Sequence, residues 1–303
     1  MIDRLMAQIE QKQNPTVIGL DPTLEMIPKF ITQEMLETYG KTAKAVGKML
    51  LKFNQELLDQ TADLVPAVKL QIAMYEQYGL DGIAAYLETI SYAKEMGLLV
   101  IGDVKRGDIA STAAAYAAHI GGVAIDGVRI DPWKEDAVTL NPYMGFDGIK
   151  PFITPCKELD KGIFILVKTS NPSGGELQDL ISDGKPVYEY AAELVSQWGE
   201  LAMGEQGYSK VAAVVGATYK EQGESLREKM PHTFFLVPGY GAQGASAKDI
   251  GGYFDRHGKG CIINSSRGII AAYQKDKRFE ERHFAEAARE AVLLMKKDLG
   301  GVI

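Results

Sequence analysis

The chain has 303 residues, 46% of them hydrophobic and 24% charged, which is ample material for a large core, and its formal net charge is -7 at pH 7. That acidic balance, with no basic run, excludes a nucleic-acid track, and an anionic small molecule would need its own local cluster of donors. Cys156 and Cys261 stand far apart and outside any metal-ligand spacing, and no stretch approaches ~18 uninterrupted apolar residues, so neither a disulfide framework nor a membrane span is expected.

Residues 1–14 are polar and helix-forming, without the apolar region of a leader, so the expected location is the cytoplasm. A first short strand over 16–20 is closed by Asp21-Pro22, and Pro22 leaves Asp21 at its C-terminal end. Helical segments fill 23–62, with Met49, Leu50, Phe53, Leu57 and Leu58 spaced for one face. The second strand, 64–69, is apolar and ends in Lys69. A helix over 82–96 stops at Gly97.

The third strand opens with Leu98-Leu99-Val100-Ile101, an uninterrupted apolar run that reads as buried on both faces. It ends in charge: Asp103, Lys105 and then Asp108. Alternation along a strand puts Asp103 and Lys105 on one side, about 6.6 Å apart along the backbone. A lysine held between carboxylates stays protonated and fixed in direction, as a proton donor must. An alanine-rich helix over 111–120 follows, and 121–135 fits either a short strand pair or a surface excursion.

Further strands are expected at 136–140, 162–168, 211–216, 233–237 and 260–264, separated nearly everywhere by helical material such as 188–203 and 284–297. Eight strands alternating with helices predict an α/β chain folded as a single (β/α)8 (TIM) barrel over 1–303, with no linker dividing it. A doubly wound open sheet is the alternative. It fits less well because the glycine patterns lie late in the chain rather than after the first strand.

In a barrel the C-terminal strand ends meet at one rim. Collecting them gives Asp21, Lys69, Asp103, Lys105, Asp108, Ser170, Gln243 and Arg267. The loops Pro238-Gly239-Tyr240-Gly241-Ala242-Gln243-Gly244 and Ser265-Ser266-Arg267-Gly268 follow strands seven and eight, where barrels commonly hold phosphate on glycine-exposed N–H groups and a guanidinium. None of the four histidines falls at an expected strand end, so core or surface roles are expected for them.

Asp103-Val104-Lys105-Arg106-Gly107-Asp108-Ile109 resembles the Asp-x-Lys-x-x-Asp-Ile signature of the orotidine 5'-phosphate decarboxylase family, and the resemblance runs along most of the chain. Length and the segment Asn141-Pro142-Tyr143-Met144-Gly145 are similar to its longer bacterial subgroup. The resemblance implies a charged tetrad of Lys69, Asp103, Lys105 and Asp108, with Lys105 as proton donor. It also implies a homodimer in which Asp108 and Ile109 serve the neighbouring site. Asp21 with Lys69 would bind the ribose hydroxyls, Ser170 the pyrimidine, and Gln243 and Arg267 the phosphate. Thr112, Pro238, Gly244 and Ser266 complete the implied substrate contacts, although Ser266 stands where many relatives have glycine.

The implied reaction turns orotidine 5'-phosphate into UMP and carbon dioxide without cofactor or metal. Negative charge develops at ring C6, and Lys105 would stabilise it and protonate that carbon. Asp103 near the substrate carboxylate would favour its departure. Three readings compete. A metal-dependent sugar-phosphate decarboxylase or aldolase of the related barrels would want an acidic ligand where Lys69 stands. A Schiff-base aldolase would want an uncharged lysine. A phosphate-ligand sensor on a retired barrel would need no charged tetrad.

Overall fold

In the computed structural model, which describes residues 1–241 and 244–302, eight parallel strands close on themselves. They are β1 (Thr16–Leu20), β2 (Ala67–Gln71), β3 (Leu99–Arg106), β4 (Ala137–Leu140), β5 (Gly162–Lys168), β6 (Ser209–Val215), β7 (Thr233–Pro238) and β8 (Cys261–Ser265). Each strand pairs with the next in the chain, and β8 pairs with β1 to shut the sheet. This is a (β/α)8 barrel, and closure rules out the open doubly wound alternative.

The strands are apolar throughout because both faces are covered. Val17, Ala67, Ile101, Phe164, Ala212, Phe234 and Ile262 fill the barrel, and Ile2, Leu5 and Met6 of helix Ile2–Lys12 pack into the same cluster, closing one end. The alternate residues, among them Ile18, Val68, Val100 and Ile263, face outward onto Phe53, Leu57, Tyr86, Ile90 and Val292 of the surrounding helices. Each such side chain, fully buried, contributes ~1.5–3 kcal/mol of transfer free energy.

Strand positions follow the apolar runs: the strands expected at 16–20 and 162–168 keep their bounds, and the ends of the others move by no more than three residues. The second strand begins at Ala67 rather than 64, because Pro66 has no N–H to give the ladder, and it continues through Lys69 to Gln71. Residues 121–135 contain a true antiparallel pair, Val123–Ile125 with Val128–Ile130, turned by Asp126-Gly127 with both residues at positive φ. Helix Val187–Gly199 is shorter than expected, its continuation tightening into a 3-10 turn at Glu200–Ala202.

Two strands carry an irregularity near the rim. Pairing of β3 with β4 passes from Gly102↔Val138 to Arg106↔Leu140, and pairing of β5 with β6 from Leu166↔Val214 to Lys168↔Val215. Extra residues of this kind turn a side chain away from its regular direction, and they concentrate beside active sites.

Candidate active site

Strand β3 brings the acidic centre. Asp103 is 7% exposed, so its charge needs partners. It has four. Oδ2 accepts from Lys69 Nζ at 2.8 Å and Gln71 Nε2 at 3.0 Å, and Oδ1 accepts from Lys105 Nζ at 2.5 Å and Thr139 Oγ1 at 2.9 Å. Lys69, 4% exposed on β2, also donates to both carboxylate oxygens of Asp21, at 3.0 and 3.3 Å. The backbone N–H of Gln71 donates to the same carboxylate, at 3.2 Å. The order across the rim is therefore Asp21, Lys69, Asp103, Lys105.

Burial alone pushes Lys69 down, but the adjoining Asp103 and Asp21 carboxylates outweigh it and hold the ammonium above the ordinary lysine range. Burial likewise pushes the Asp103 carboxyl up, and Lys69 and Lys105 together hold it well below the carboxylate range. Neither group changes charge near neutrality.

Lys105 reaches Asp103 by a different route from regular alternation. Its φ is +44°, a left-handed conformation that costs a lysine of order 1–3 kcal/mol, and it falls within the β3 irregularity. Its N–H donates to Thr139 Oγ1 at 3.0 Å, so Thr139 holds both the lysine backbone and the Asp103 carboxylate. The side chain is 45% exposed, with its ammonium at the mouth of the site.

A cavity of about 350 Å3 opens beside these charges. Lys69, Asp103, Lys105 and Thr139 line its polar side, while Leu166, Val214 and Leu236 line an apolar part of it. Thr169, Ser170 and Asn171 after β5, Pro238 at the end of β7 and Asn264 of β8 complete the lining. The size suits a small organic ligand with an apolar portion. Gly216 lets the β5 loop pass closely, since a Cβ there would stand 2.8 Å from the Ser170 nitrogen.

Other sequence candidates lie around this centre. Asp108 does not join the charged row within one protomer: its Oδ1 accepts from the N–H of Ile109 at 2.7 Å, and Ile109 is 53% exposed. Thr112 is half-buried on helix Ala110–Tyr116. Ser266 turns its hydroxyl to the Gly19 carbonyl at 2.9 Å, and Arg267, the first residue of helix Arg267–Ile270, is exposed. Gly244 has φ +97°, a conformation open to glycine, while Gln243 lies outside the described residues. His119 is buried, bonded to Glu135 at 2.8 Å and stacked on Trp133.

Gln71, Thr139 and Asn264 were not singled out from the sequence. Gln71 had a signal, because it stands two residues beyond Lys69 on the same strand face. Thr139 is hidden inside a run whose apolar neighbours mark it only as strand, whereas Asn264 had a signal, because it closes the run 260–264 at the C-terminal end of its strand.

Among the described residues, no group of three or more His, Cys, Asp or Glu side chains stands together as a metal site. No helix among them is long and apolar enough to cross a membrane.

Comparison with known proteins agrees with this fold. Residues 17–281 match the model of the orotidine 5'-phosphate decarboxylase / HUMPS family. The chain is 44% identical to the orotidine 5'-phosphate decarboxylase of Rhodopirellula baltica, over 98% of each chain. It is 41% identical to that of Petrotoga mobilis, over 99% of this chain and 98% of the relative. Among solved structures, Leishmania donovani OMP decarboxylase superposes with a TM-score of 0.72 at 30% identity, over 98% of both chains. With the family model matched over most of the chain, the same barrel and near-complete coverage of its relatives, the chain belongs to the orotidine 5'-phosphate decarboxylase / HUMPS family.

Proposed function

We propose that this protein decarboxylates orotidine 5'-phosphate to UMP in pyrimidine biosynthesis, with Lys105 as the proton donor, and that residues 1–303 act as one cytoplasmic domain. The observation that carries this reading is the row Asp21, Lys69, Asp103, Lys105 on the rim of the cavity. When carbon dioxide leaves, the electron pair of the broken bond stays on ring C6. The Lys105 ammonium stabilises that pair and then transfers a proton to it, giving the C6–H of UMP; the lysine is reprotonated from solvent. Because Asp103, Thr139 and the β3 irregularity already aim the ammonium, little reorganisation is needed as charge develops.

The remaining contacts follow the same rim. Asp21 and Lys69 take the ribose hydroxyls and Ser170 the pyrimidine, whose flat faces suit Leu166, Val214 and Leu236. Pro238, Gly244, Ser266, Gln243 and Arg267 take the phosphate end. Asp108 and Ile109 are absent from the lining of their own cavity and Ile109 is exposed, which supports a homodimer in which these two serve the neighbouring site, with Thr112 as a further substrate contact. No cofactor is required, since the electrostatics of the site do the work a cofactor would otherwise do. Lys69, bound to two carboxylates, stands where the metal-dependent relatives would place an acidic ligand, and this disfavours that reading.

Lys105→Ala tests the assignment. Its turnover is expected to fall by at least about 10^2-fold, the lower range for losing a general acid, while UMP binding persists. Turnover near that of the unaltered protein would remove Lys105 from the role.

A further inference from the structure

We propose that Asn264 reads the pentose of the substrate, its carboxamide taking a sugar hydroxyl beside Asp21. This rests on the assignment of the cavity to orotidine 5'-phosphate and deepens it. Asn264 is the next-to-last residue of β8, lines the cavity and is 7% exposed. Its Oδ1 is shielded from solvent and has no hydrogen-bond partner among the described residues. A buried acceptor left unpaired is costly, and the register partners of Asn264, Val17 on β1 and Pro238 on β7, show that an apolar side chain suits this level of the barrel. The side chain lines the cavity, and rotation of its carboxamide brings Oδ1 to the cavity face, so the donor that repays asparagine here arrives with the ligand.

The surroundings say which donor. A Cβ placed on Gly19 would lie 3.2 Å from Asn264 Oδ1 and 3.2 Å from Asp21 Oδ2, so the two oxygens neighbour one another on one side of β1. Two adjoining acceptors, one of them anionic, repel phosphate oxygens and pyrimidine carbonyls. The pyrimidine N–H fits poorly, because it is flanked by carbonyl oxygens that would face the same acceptors. Hydroxyl groups remain, and in a nucleotide these belong to the pentose. A hydroxyl both donates and accepts, so it satisfies the carboxamide in either orientation.

The test is a binding cycle between residue and hydroxyl. Dissociation constants are measured for UMP, 2'-deoxyUMP and 3'-deoxyUMP with the full-length protein and with Asn264→Ala. The unaltered protein is expected to prefer UMP to one deoxy analogue by about tenfold, and Asn264→Ala to reduce that preference to within about twofold. A variant that keeps both preferences in full overturns the proposal. If Asn264→Ala does not fold, Asn264→Leu, close in volume, is read in the same way. Unaltered protein that is folded and binds none of the three nucleotides overturns the assignment of the cavity, and this proposal with it. Binding of UMP without any change in preference overturns the role of Asn264 alone.

Discussion

The ammonium of Lys105 stands 2.5 Å from Oδ1 of Asp103, although only Val104 separates them and the backbone between is not a regular strand. The left-handed turn at Lys105 makes this contact. It also leaves the lysine half exposed, pointing into a cavity rather than locked into the barrel core.

Asp103 should make the protein acid-sensitive. Its carboxyl is depressed in the folded chain, so its stabilisation is present above the unfolded value of about 3.9 and is lost as pH falls through the lower folded value. Lys69 is shifted upward, so its contribution is complete below about 10.4 and is lost as pH rises through its folded value. Asp103→Asn is expected to cost about 3–5 kcal/mol at neutral pH by leaving Lys69 short of a charge partner. The gap between the two proteins should narrow from about pH 5 toward pH 2. Denaturant unfolding across that range checks this; a constant gap contradicts it.

Arg267 is exposed and heads a short helix at the rim, so its removal should spare the fold. Arg267→Ala is expected to raise KM at least about tenfold and to lower kcat, because a phosphate grip remote from the reacting bond acts on positioning as well as affinity. Steady-state kinetics decide it. Unchanged constants would remove Arg267 from the phosphate site.

The barrel was legible in the sequence because parallel strands covered on both faces appear as apolar runs, and each run here is bounded by turn residues. The rim was legible where charge interrupts such a run, as at Lys69, Asp103 and Lys105. Thr139 was not, since one polar residue inside an apolar strand does not announce which way it faces, and Asn264 was not, since it ends its run without a charge to mark it. Regular alternation brought Lys105 beside Asp103 on paper, but the structure reaches that contact through an irregular backbone that residue spacing does not encode. Asp108 was grouped with the row as a residue just past the end of β3, and the resemblance implied the same tetrad; within one protomer its carboxylate instead accepts from the next residue of its own chain.

Lys168 and Asp179 clasp the loop that carries Ser170. The irregularity in β5 precedes Lys168, whose side chain is wholly buried, 2.5 Å from Asp179 and over the rings of Tyr219 and Tyr188 at 4.5 and 5.3 Å. Gln178 adds hydrogen bonds to the Thr169 N–H and hydroxyl, so both ends of the loop are tied together. Asp179→Ala leaves the lysine charge buried with only the rings, and amide hydrogen exchange across 169–178 is expected to accelerate at least about tenfold. Unchanged protection would show that the clasp does not hold the loop.

Sharing of sites between subunits predicts complementation. Lys105→Ala and Asp108→Ala subunits, each inactive alone, should together form a heterodimer with one intact site and recover up to about half of the unaltered activity per dimer. A confirmed heterodimer without recovery would place Asp108 outside the neighbouring site.

The most direct measurement is turnover of orotidine 5'-phosphate by the purified protein after EDTA treatment, followed by ultraviolet absorbance. The account predicts loss of the orotate chromophore with one UMP formed per substrate consumed, at a rate that added Mg2+ does not change. Folded protein that turns nothing over, or turns it over only once Mg2+ is restored, would contradict it.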